Sequence, residues 1–365
     1  MRVLILSDAN SIHTVRWVRG LNSLGVTIGL WSINKPDEGL YDDCKGIKIY
    51  HSSIKQERFG LISKLKYLSL LNLVKKCILD FKPDLLHAHY ASSFGLLGAL
   101  SGFKPFVLSI WGSDVYDFPN QNILFARILR YNLKKADFLL STSKAMAKEA
   151  SKYTNKDFYI TPFGIDLRLF KPVPKSEDTI FTVGTIKTLE EKYGIDQLID
   201  AFAIFKNRYP NETLKLVIVG DGSLKIQLQK QANELGLSQA CEFVGNVKYD
   251  KVPFFHQQLD ICICLSNSES FGVSAIEASA SMRPVIVSNV GGLPEVVKDN
   301  ITGIVVPQKD PKRAAEAIEK LFLDHSLRKK MGEEGRKRVE KLYDWDKNLL
   351  DMLKIYEKIL EDKAV

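Results

Sequence analysis

The sequence predicts an α/β protein of two Rossmann-like domains that face each other across a cleft, and three observations support this. Short apolar segments alternate with amphipathic helical segments along most of the chain, which is typical of parallel sheets covered by helices. The chain has 365 residues, enough for two domains of roughly 180 residues each. Near its middle, the stretch TPFGIDLRLFKPVPKSEDT carries three prolines and a glycine, which indicates a linker.

The predicted strands fall into two series on either side of this linker. The first series is 3–7, 85–87, 106–110 and 138–141, and the second is 180–184, 216–219, 241–244, 261–265, 285–287 and 303–305. We predict an N-terminal domain, a linker, a C-terminal domain and a final helix that packs back toward the N-terminal domain, at 1–168, 169–178, 179–340 and 341–365. Ligands of such sheets bind at the carboxyl ends of the strands.

Composition narrows the classes of function. No apolar run approaches the ~18–20 residues that cross a bilayer, and MRVLILSDAN at the start fits a first strand better than a signal peptide. The five cysteines include only one close pair, Cys262 and Cys264. An odd number without paired spacing argues against a disulfide framework or a zinc site. We therefore expect a cytoplasmic protein.

The positive charge is concentrated in the first half of the chain. Residues 1–170 contain 23 Lys and Arg against 14 Asp and Glu, and the remainder contains 28 against 29. The net charges are therefore +9 and −1. This difference is equally consistent with a surface that binds an anionic partner and with an ordinary solvated surface. The lysine-flanked apolar stretch 62–81 has the pattern of an interfacial helix, although a core helix is at least as consistent with it. We expect docking on the inner face of an anionic membrane and no nucleic-acid partner.

The most informative segment is ICICLSNSESFGVSAIEASASMRPVIVSNVGGLPEVV. A buried strand leads into a polar loop, and a helix starts near Phe271 and Gly272. Amides at a helix start bind anions, and a glycine there lets a phosphate approach. Glu269 lies on the loop, and Glu277 lies inside the helix about two turns from Glu269, where one carboxylate accepts both hydroxyls of a ribose. Isolated carboxylates are usually ordinary surface charges, but the surrounding strands and glycines favour a site.

A second segment, VGTIKTLEEKYGIDQLIDAF, places Gly184, Lys187 and Lys192 between a strand and a helix. Lysines at this position stabilise a departing diphosphate, although loop lysines taken alone are more often solvent-facing. No G-x-G-x-x-G pattern follows the first strand. The one D-x-D, at Asp344 and Asp346, falls at a helix start and is interpreted as a cap. We therefore expect no metal and no cofactor. His87 and His89 follow a strand, and we expect structural roles for them.

Taken in order, these motifs resemble glycosyltransferase family 4, whose members are retaining enzymes of GT-B architecture. The resemblance covers nearly the whole chain. ESFGVSAIE matches the E-x7-E motif, PVIVSNVGGLPEVV follows it at the expected distance, VGTIKTLEEKYGIDQLIDAF resembles the V-G-R…K-G helix entry, and TPFGID resembles the interdomain P-x-G-[IV]-D.

The resemblance implies a role for each matching position. Glu277 binds the ribose, Glu269 lies by the donor sugar, and Lys192 contacts the diphosphate. Donor binding extends to the amides of the helix start and to neighbouring loops: Phe271, Gly272, Val273, Gly184, Thr185 and Val247. The acceptor or sugar side of the cleft carries Asn10, His13, Trp111 and Asp114. With Glu269 and Lys192, Lys187 completes the predicted catalytic set.

Three departures from the family pattern concern recognition of the donor sugar. Thr185 occupies the position of the family's diphosphate arginine, and Lys187, two residues on, is expected to supply that charge. Trp111 in SIWGSD stands where a histidine is usual. Met282 stands where a glycine is usual.

The predicted function is retaining, metal-independent transfer of a sugar from a nucleotide diphosphate to a glycan or lipid-linked acceptor. A UDP-sugar is the favoured donor and a GDP-sugar the next. Cell-surface polysaccharide or glycoconjugate synthesis is the expected context. Two alternatives stay open: a nucleotide-sugar epimerase, which needs acid–base carboxylates and histidines deep in the cleft, and a non-catalytic nucleotide- or glycan-binding module.

Overall fold

The computed structural model of the protein describes residues 1–52, 61–175 and 180–364, and the side chains of 61–68 and 363–364 lie outside this description. The chain divides into two compact units. Unit 1 comprises Met1–Phe163 and Lys347–Val365, and unit 2 comprises Gly164–Asp346. The predicted linker 169–178 belongs to unit 2, and its last three residues lie outside the described part of the chain.

Unit 1 is built on a seven-stranded parallel sheet. Its strands are β1 (Arg2–Leu6), β2 (Thr27–Ser32), β3 (Lys48–His51), β4 (Leu85–His89), β5 (Phe106–Ile110), β6 (Phe138–Ser141) and β7 (Phe158–Ile160). They lie in the order β3-β2-β1-β4-β5-β6-β7. The central strands β4 and β5 are buried along their whole length, as expected for strands covered by helices on both faces.

The helices of unit 1 cover this sheet and enclose a hydrophobic core. They are α1 (Ile12–Ser23), α2 (Leu61–Phe81), α3 (Ser93–Ser101), α4 (Ser113–Tyr116), α5 (Phe118–Gln121), α6 (Ile123–Lys135) and α7 (Lys144–Ala150), with most of the C-terminal helix α15 (Trp345–Ala364). No helix in the described ranges is long and apolar enough to cross a membrane.

Unit 2 contains a six-stranded parallel sheet with its own hydrophobic core. The strands are β8 (Phe181–Ile186), β9 (Leu214–Val219), β10 (Cys241–Gly245), β11 (Ile261–Cys264), β12 (Val285–Ser288) and β13 (Gly303–Val306), in the order β10-β9-β8-β11-β12-β13. The helices are α8 (Ile195–Arg208), α9 (Lys225–Glu234), α10 (Val252–Gln258), α11 (Val273–Ala280), α12 (Leu293–Val296), α13 (Pro311–Leu323) and α14 (His325–Leu342). Short 3₁₀ helices span Glu191–Tyr193 and Tyr249–Lys251.

Both sheets contain the doubly wound strand order 3-2-1-4-5-6. The order reverses between β1 and β4 in unit 1 and between β8 and β11 in unit 2. At such a switch point the loops leaving the two strands diverge to opposite faces, which opens a crevice at the carboxyl ends. The chain therefore provides a crevice of this kind in each unit.

All ten predicted strands are present, with ends shifted by a few residues, but three strands were missed. β3 and β7 are short edge strands with partly exposed residues, so their apolar pattern is weak. β2 is buried, yet it contains Gly29, which lowers its strand signal. A Cβ on Gly29 would lie 3.0 Å from Leu4 and from the ring of Phe81, so a larger residue would require these side chains to shift where the sheet packs on α2.

Candidate functional site

The switch point of unit 2 is formed by the loops that follow β8 and β11. The amides of Asn267 and Ser268 donate to the carbonyl of Lys192, at 2.8 and 3.1 Å. Gly194 has a φ of +60°, and a Cβ there would lie 2.1 Å from the carbonyl oxygen of Leu265. Only glycine permits this approach. Backbone contacts therefore hold the two loops together.

The VGG loop after β12 contacts the same region through its backbone. The amide of Gly292 donates to the carbonyl of Glu269 at 3.0 Å. Gly291 has a φ of +50°, and a Cβ there would lie 1.8 Å from the same carbonyl oxygen. A side chain at Gly291 would displace the Glu269 backbone, so the loop that carries Glu269 requires a glycine here.

Lys187 and Glu269 form a largely buried ion pair. Lys187 Nζ lies 2.5 Å from Glu269 Oε2, and the two side chains are 12% and 9% exposed. Burial alone would lower the pKa of Lys187, but the adjacent Glu269 carboxylate, together with Cys264 and Tyr193, raises that pKa above its ordinary value. The sequence assigned these residues to different parts of the donor, and the structure joins them in one pair.

Both lysines of the predicted catalytic set contact one aromatic ring. Lys187 Nζ and Lys192 Nζ lie 4.5 and 5.0 Å from the ring centroid of Tyr193, within cation–π distance. Lys187 is buried and already paired, whereas Lys192 is exposed. Lys192 therefore offers the more accessible charge to an incoming anion. Tyr193 was not identified from the sequence, where it is one aromatic residue among many.

Several polar groups around this switch point lack partners. The hydroxyls of Thr185 and Ser266 are buried and have no hydrogen bond within the described part of the chain. The amides of Gly272 and Val273, at the start of α11, likewise have no acceptor there. Buried polar groups in native proteins are normally hydrogen-bonded. This concentration of unpaired donors fits a polar, anionic ligand.

Glu277 lies on α11 and is almost fully buried, at 5% exposure. Its Oε2 is 3.5 Å from Nε2 of His256, a residue on α10 that is fully buried. A buried carboxylate is a costly feature unless it accepts hydrogen bonds, and the two hydroxyls of a ribose would supply them. The sequence identified Glu277 but missed His256, a lone histidine in VPFFHQQLD with no spacing signal.

Three further predicted donor residues lie at less direct positions. Gly184 is inside β8, where a Cβ would lie 2.4 Å from the carbonyl oxygen of Val217, so strand packing already requires a glycine. Val247 is half-buried in the loop after β10, an edge strand two places from β8. Phe271 is buried immediately before α11.

No group of three or more His, Cys, Asp or Glu side chains with metal-ligand geometry occurs within 1–52, 61–175 or 180–364. The positive charge near the switch point of unit 2 comes from lysines and from the start of α11. These groups are suited to binding phosphate oxygens.

The carboxyl edge of unit 1 is aromatic. His13 stacks on Phe163 at 3.9 Å between ring centroids, and Trp111 lies 4.5 Å from His89 and 5.8 Å from His13. Burial, with a smaller effect from Arg16, lowers the pKa of His13 to about 4. Burial also lowers the pKa of His89 well below its usual value. This edge therefore presents neutral imidazoles and aromatic faces.

The predicted acceptor-side residues Asp114 and Asn10 make internal contacts. Asp114 is fully buried and accepts from the amides of Ala91 and Gly112, both at 2.7 Å, and of Trp111 at 3.1 Å. Burial raises the pKa of Asp114 even though these amides oppose the shift. Asn10 donates to the carbonyl of Lys35 and accepts from the amide of Asp37. Both side chains hold loops, so they shape this edge indirectly.

His87 has a structural role, as the sequence led us to expect. Its Nδ1 is 2.6 Å from the hydroxyl of Tyr356 on α15, and its Nε2 is 2.7 Å from the hydroxyl of Ser109. Both ring nitrogens are used, and burial lowers its pKa to about 3. His89 differs, because its Nδ1 is buried with no partner among the described residues.

Comparison with known families matches both halves of the chain. Residues 168–338 match the family described as glycosyl transferases group 1, and residues 2–143 match the family described as glycosyl transferase 4-like. The first match contains every residue assigned to the donor. The second contains His13, His89 and Trp111 of the aromatic edge of unit 1, and Phe163 lies beyond it.

Individual relatives agree with these matches. An uncharacterized glycosyltransferase of Methanocaldococcus jannaschii is 27% identical over 314 residues, which is 85% of each chain. A GDP-mannose-dependent phosphatidylinositol monomannoside mannosyltransferase of Mycobacterium tuberculosis is 32% identical over 204 residues. That alignment spans only about half of each chain, 52% in both cases.

Solved structures share the fold over the full length. A sucrose-phosphate synthase of Thermosynechococcus elongatus superposes with a TM-score of 0.86 and 20% identity, over 99% of this chain and 100% of that one. Anabaena HepE in complex with UDP and glucose gives 0.80 and 18%, over 98% and 99%. The fold is therefore GT-B, with two Rossmann-like domains. The chain belongs to the glycosyltransferases of family 4, as its motifs predicted.

Proposed function

We propose that this glycosyltransferase transfers a sugar, with retention of configuration, from a nucleoside diphosphate to a glycan or lipid-linked acceptor. The supporting observation is the group of unpaired polar atoms at the switch point of unit 2, beside the buried carboxylate of Glu277. UDP is the favoured nucleotide and GDP the next. Relatives support both, since HepE was solved with UDP-glucose and the mycobacterial enzyme is GDP-mannose-dependent.

In this proposal each part of the donor is bound by a different element of unit 2. Glu277 on α11 accepts the hydroxyls of the ribose. The amides of Gly272 and Val273 bind the diphosphate at the helix start, where the helix dipole also favours negative charge. Lys192 adds an accessible positive charge. Glu269, held in place by Lys187 and by the backbone of the VGG loop, lies by the sugar.

The proposed reaction needs no protein nucleophile. The bond between the anomeric carbon and the diphosphate oxygen breaks, and the acceptor oxygen bonds to that carbon on the same face. The acceptor's proton passes to the departing phosphate. Because negative charge grows on the leaving group, Lys192 and the helix-start amides stabilise the transition state more than the bound substrate. They also supply the charge that a metal would provide, so we propose that activity is metal-independent.

We propose that unit 1 binds the acceptor at its aromatic carboxyl edge. Trp111 and His13 present ring faces suited to a sugar or a lipid-linked glycan. The epimerase alternative gains no support from this edge. Its buried carboxylate, Asp114, accepts three backbone amides and is not disposed for acid–base chemistry.

Docking on an anionic membrane is the proposed partner interaction of unit 1. The stretch 62–81 that motivated it forms most of α2, but the side chains up to residue 68 lie outside the described residues. A better supported surface is α6. Ile123 and Leu124 are 70% and 48% exposed there. The same helix exposes four cations and no acid: Arg127, Arg130, Lys134 and Lys135. Exposed aliphatic and basic residues together are typical of interfacial helices.

The donor site is tested by nucleotide binding to Glu277→Gln. Loss of charge-assisted hydrogen bonds to the ribose should weaken binding of UDP or GDP by on the order of 1–3 kcal/mol, with an unchanged melting temperature. Calorimetry measures the affinity. Unchanged nucleotide affinity in the folded variant would contradict the assignment of Glu277.

Metal independence is tested by activity assays with a UDP-sugar, in which EDTA should leave turnover intact. Loss of activity in EDTA, restored by Mg²⁺, would contradict metal independence.

Membrane docking is tested by co-sedimentation with vesicles of anionic or neutral lipid. Each cation near an anionic surface contributes about 1 kcal/mol, so binding should require anionic lipid and weaken with salt. Ile123→Ser together with Arg127→Gln should reduce it. Ile226→Ser is the matched control, because Ile226 is an 82% exposed isoleucine in unit 2. Equal binding to both lipids, or to neither, would leave α6 as an ordinary solvated surface.

A further inference from the structure

His256 is a fully buried histidine that lies behind the proposed ribose site. It is on α10, and its Nε2 is 3.5 Å from Oε2 of Glu277 on α11. Neither ring nitrogen has a hydrogen-bond partner within the described part of the chain. The ring of Phe170 packs against it at 6.1 Å between centroids. The Glu277 carboxylate is therefore the one acceptor identified near Nε2 of the imidazole among the described residues.

This arrangement is costly unless a hydrogen bond forms. Every protonation state of an imidazole carries at least one N–H, and an unpaired buried donor loses its hydration without compensation. The observed 3.5 Å separation exceeds the 2.7–3.2 Å of a normal N–H···O bond by only a few tenths of an ångström. A small rotation of the Glu277 side chain closes that gap.

Resting on the proposed donor site, we propose that His256 is a positioning residue for Glu277. When a ribose is bound, His256 donates from Nε2 to Oε2 of Glu277 and fixes the orientation of the carboxylate. Two carboxylate oxygens provide about four acceptor sites. They therefore accept the 2′-hydroxyl, the 3′-hydroxyl and the imidazole at once. The ribose then meets a carboxylate that is already oriented, which lowers the entropic cost of binding.

The proposal makes a prediction that a purely structural histidine does not. If His256 acts through the contact of Glu277 with the ribose hydroxyls, its removal should weaken only nucleotides that have those hydroxyls. A general packing defect would weaken every nucleotide by the same factor. The ratio of affinities for UDP and 2′,3′-dideoxy-UDP therefore separates the two roles. GDP with its dideoxy analogue serves in the same way if the protein binds GDP more tightly.

Three substitutions of His256 identify which ring nitrogen donates the hydrogen bond to Glu277. His256→Gln places an amide N–H near the position of Nε2, His256→Asn places one near Nδ1, and His256→Phe retains a ring without a donor. We expect Phe and Asn to reduce the preference for UDP over dideoxy-UDP by about tenfold, the scale of one hydrogen bond to a charged group. His256→Gln should retain most of the preference. Melting temperatures identify any variant that fails to fold. The decisive comparison is then between His256→Gln and His256→Asn, because both side chains carry the same amide group.

The outcomes distinguish this inference from the proposed function. If the wild-type protein binds neither UDP nor GDP, the donor site and the role of His256 both fail. If it binds them but Glu277→Gln has no effect, Glu277 is not the ribose ligand and His256 has nothing to position. If Glu277→Gln abolishes the preference for ribose hydroxyls while His256→Phe and His256→Asn retain it, only the positioning role fails. In support, His256→Phe should cause no further loss in the Glu277→Gln background.

Discussion

The carboxyl edges of the two sheets have the same topology but different chemistry. In unit 2 the loops contact each other through backbone atoms, at Gly194 and Gly291, and carry charges and unpaired polar groups. In unit 1 the corresponding edge is filled by the rings of His13, Trp111 and Phe163. Strand order therefore fixes where a ligand binds, and the loop residues decide which ligand it is.

The buried charges of the two edges also differ in how they are compensated. In unit 2 a lysine and a glutamate neutralise each other. In unit 1 the Asp114 carboxylate is held by three backbone amides, and burial raises its pKa. The edge of unit 2 thus holds a full ion pair, whereas the aromatic edge of unit 1 uses its charge to shape one loop.

The largest expected effect comes from separating the ion pair of unit 2. Lys187→Met should lower the free energy of unfolding by about 3–5 kcal/mol, because it leaves the Glu269 carboxylate buried without a partner. Denaturant titration measures the change. The double variant Lys187→Met with Glu269→Gln should recover much of the loss, since no uncompensated charge then remains. A double variant as unstable as the single one would show that packing, and not charge, holds this edge together.

The next effect, intermediate for each group taken singly, is expected from acid and involves three histidines of unit 1. His13, His87 and His89 all have a lowered pKa in the folded protein, to about 4 for His13 and about 3 for His87. Between pH 6.5 and these values the unfolded chain binds more protons than the folded one. Stability should therefore be complete above pH 6.5 and fall as the pH decreases toward 4, by up to about 1.4 kcal/mol per pH unit for each histidine.

Denaturation between pH 7.5 and 4.5 tests this, because Trp17, Trp31 and Trp111 report on unit 1 and Trp345 on unit 2. His13→Phe, which retains a ring to stack on Phe163, should give a shallower dependence on pH. A profile that stays flat from pH 6.5 to 4.5 would show that these imidazoles become protonated without unfolding unit 1.

The smallest effect on stability is expected at Lys192, the exposed partner of Tyr193. Lys192→Ala should leave the melting temperature unchanged and lower kcat about tenfold, with a smaller change in KM, because the charge it stabilises grows as the glycosidic bond breaks. Steady-state kinetics with a UDP-sugar measures both constants. An effect confined to KM would make Lys192 a docking residue. Lys206, also a lysine of unit 2, provides a control substitution.

The sequence was sufficient for most of the fold because buried strands leave a strong apolar signal. All six strands of unit 2 were predicted, and β11 and β12, with the loops that follow them, carry the E-x7-E and VGG motifs. The missed strands of unit 1 are two partly exposed edge strands and β2, which contains a glycine packed closely against Leu4 and Phe81. Edge exposure and close packing depend on neighbours that are distant in the chain.

Local spacing alone determined that Glu269 and Glu277 lie on one loop–helix segment and that Gly272 opens the helix. These relations involve neighbours in the chain, and helix geometry fixes them. Only the tertiary structure decided that Lys187 pairs with Glu269, 82 positions away, and that His256 on α10 lies next to Glu277. Both contacts arise because elements that are separate in the chain pack together in unit 2, and no periodicity in the sequence records which side chains meet there.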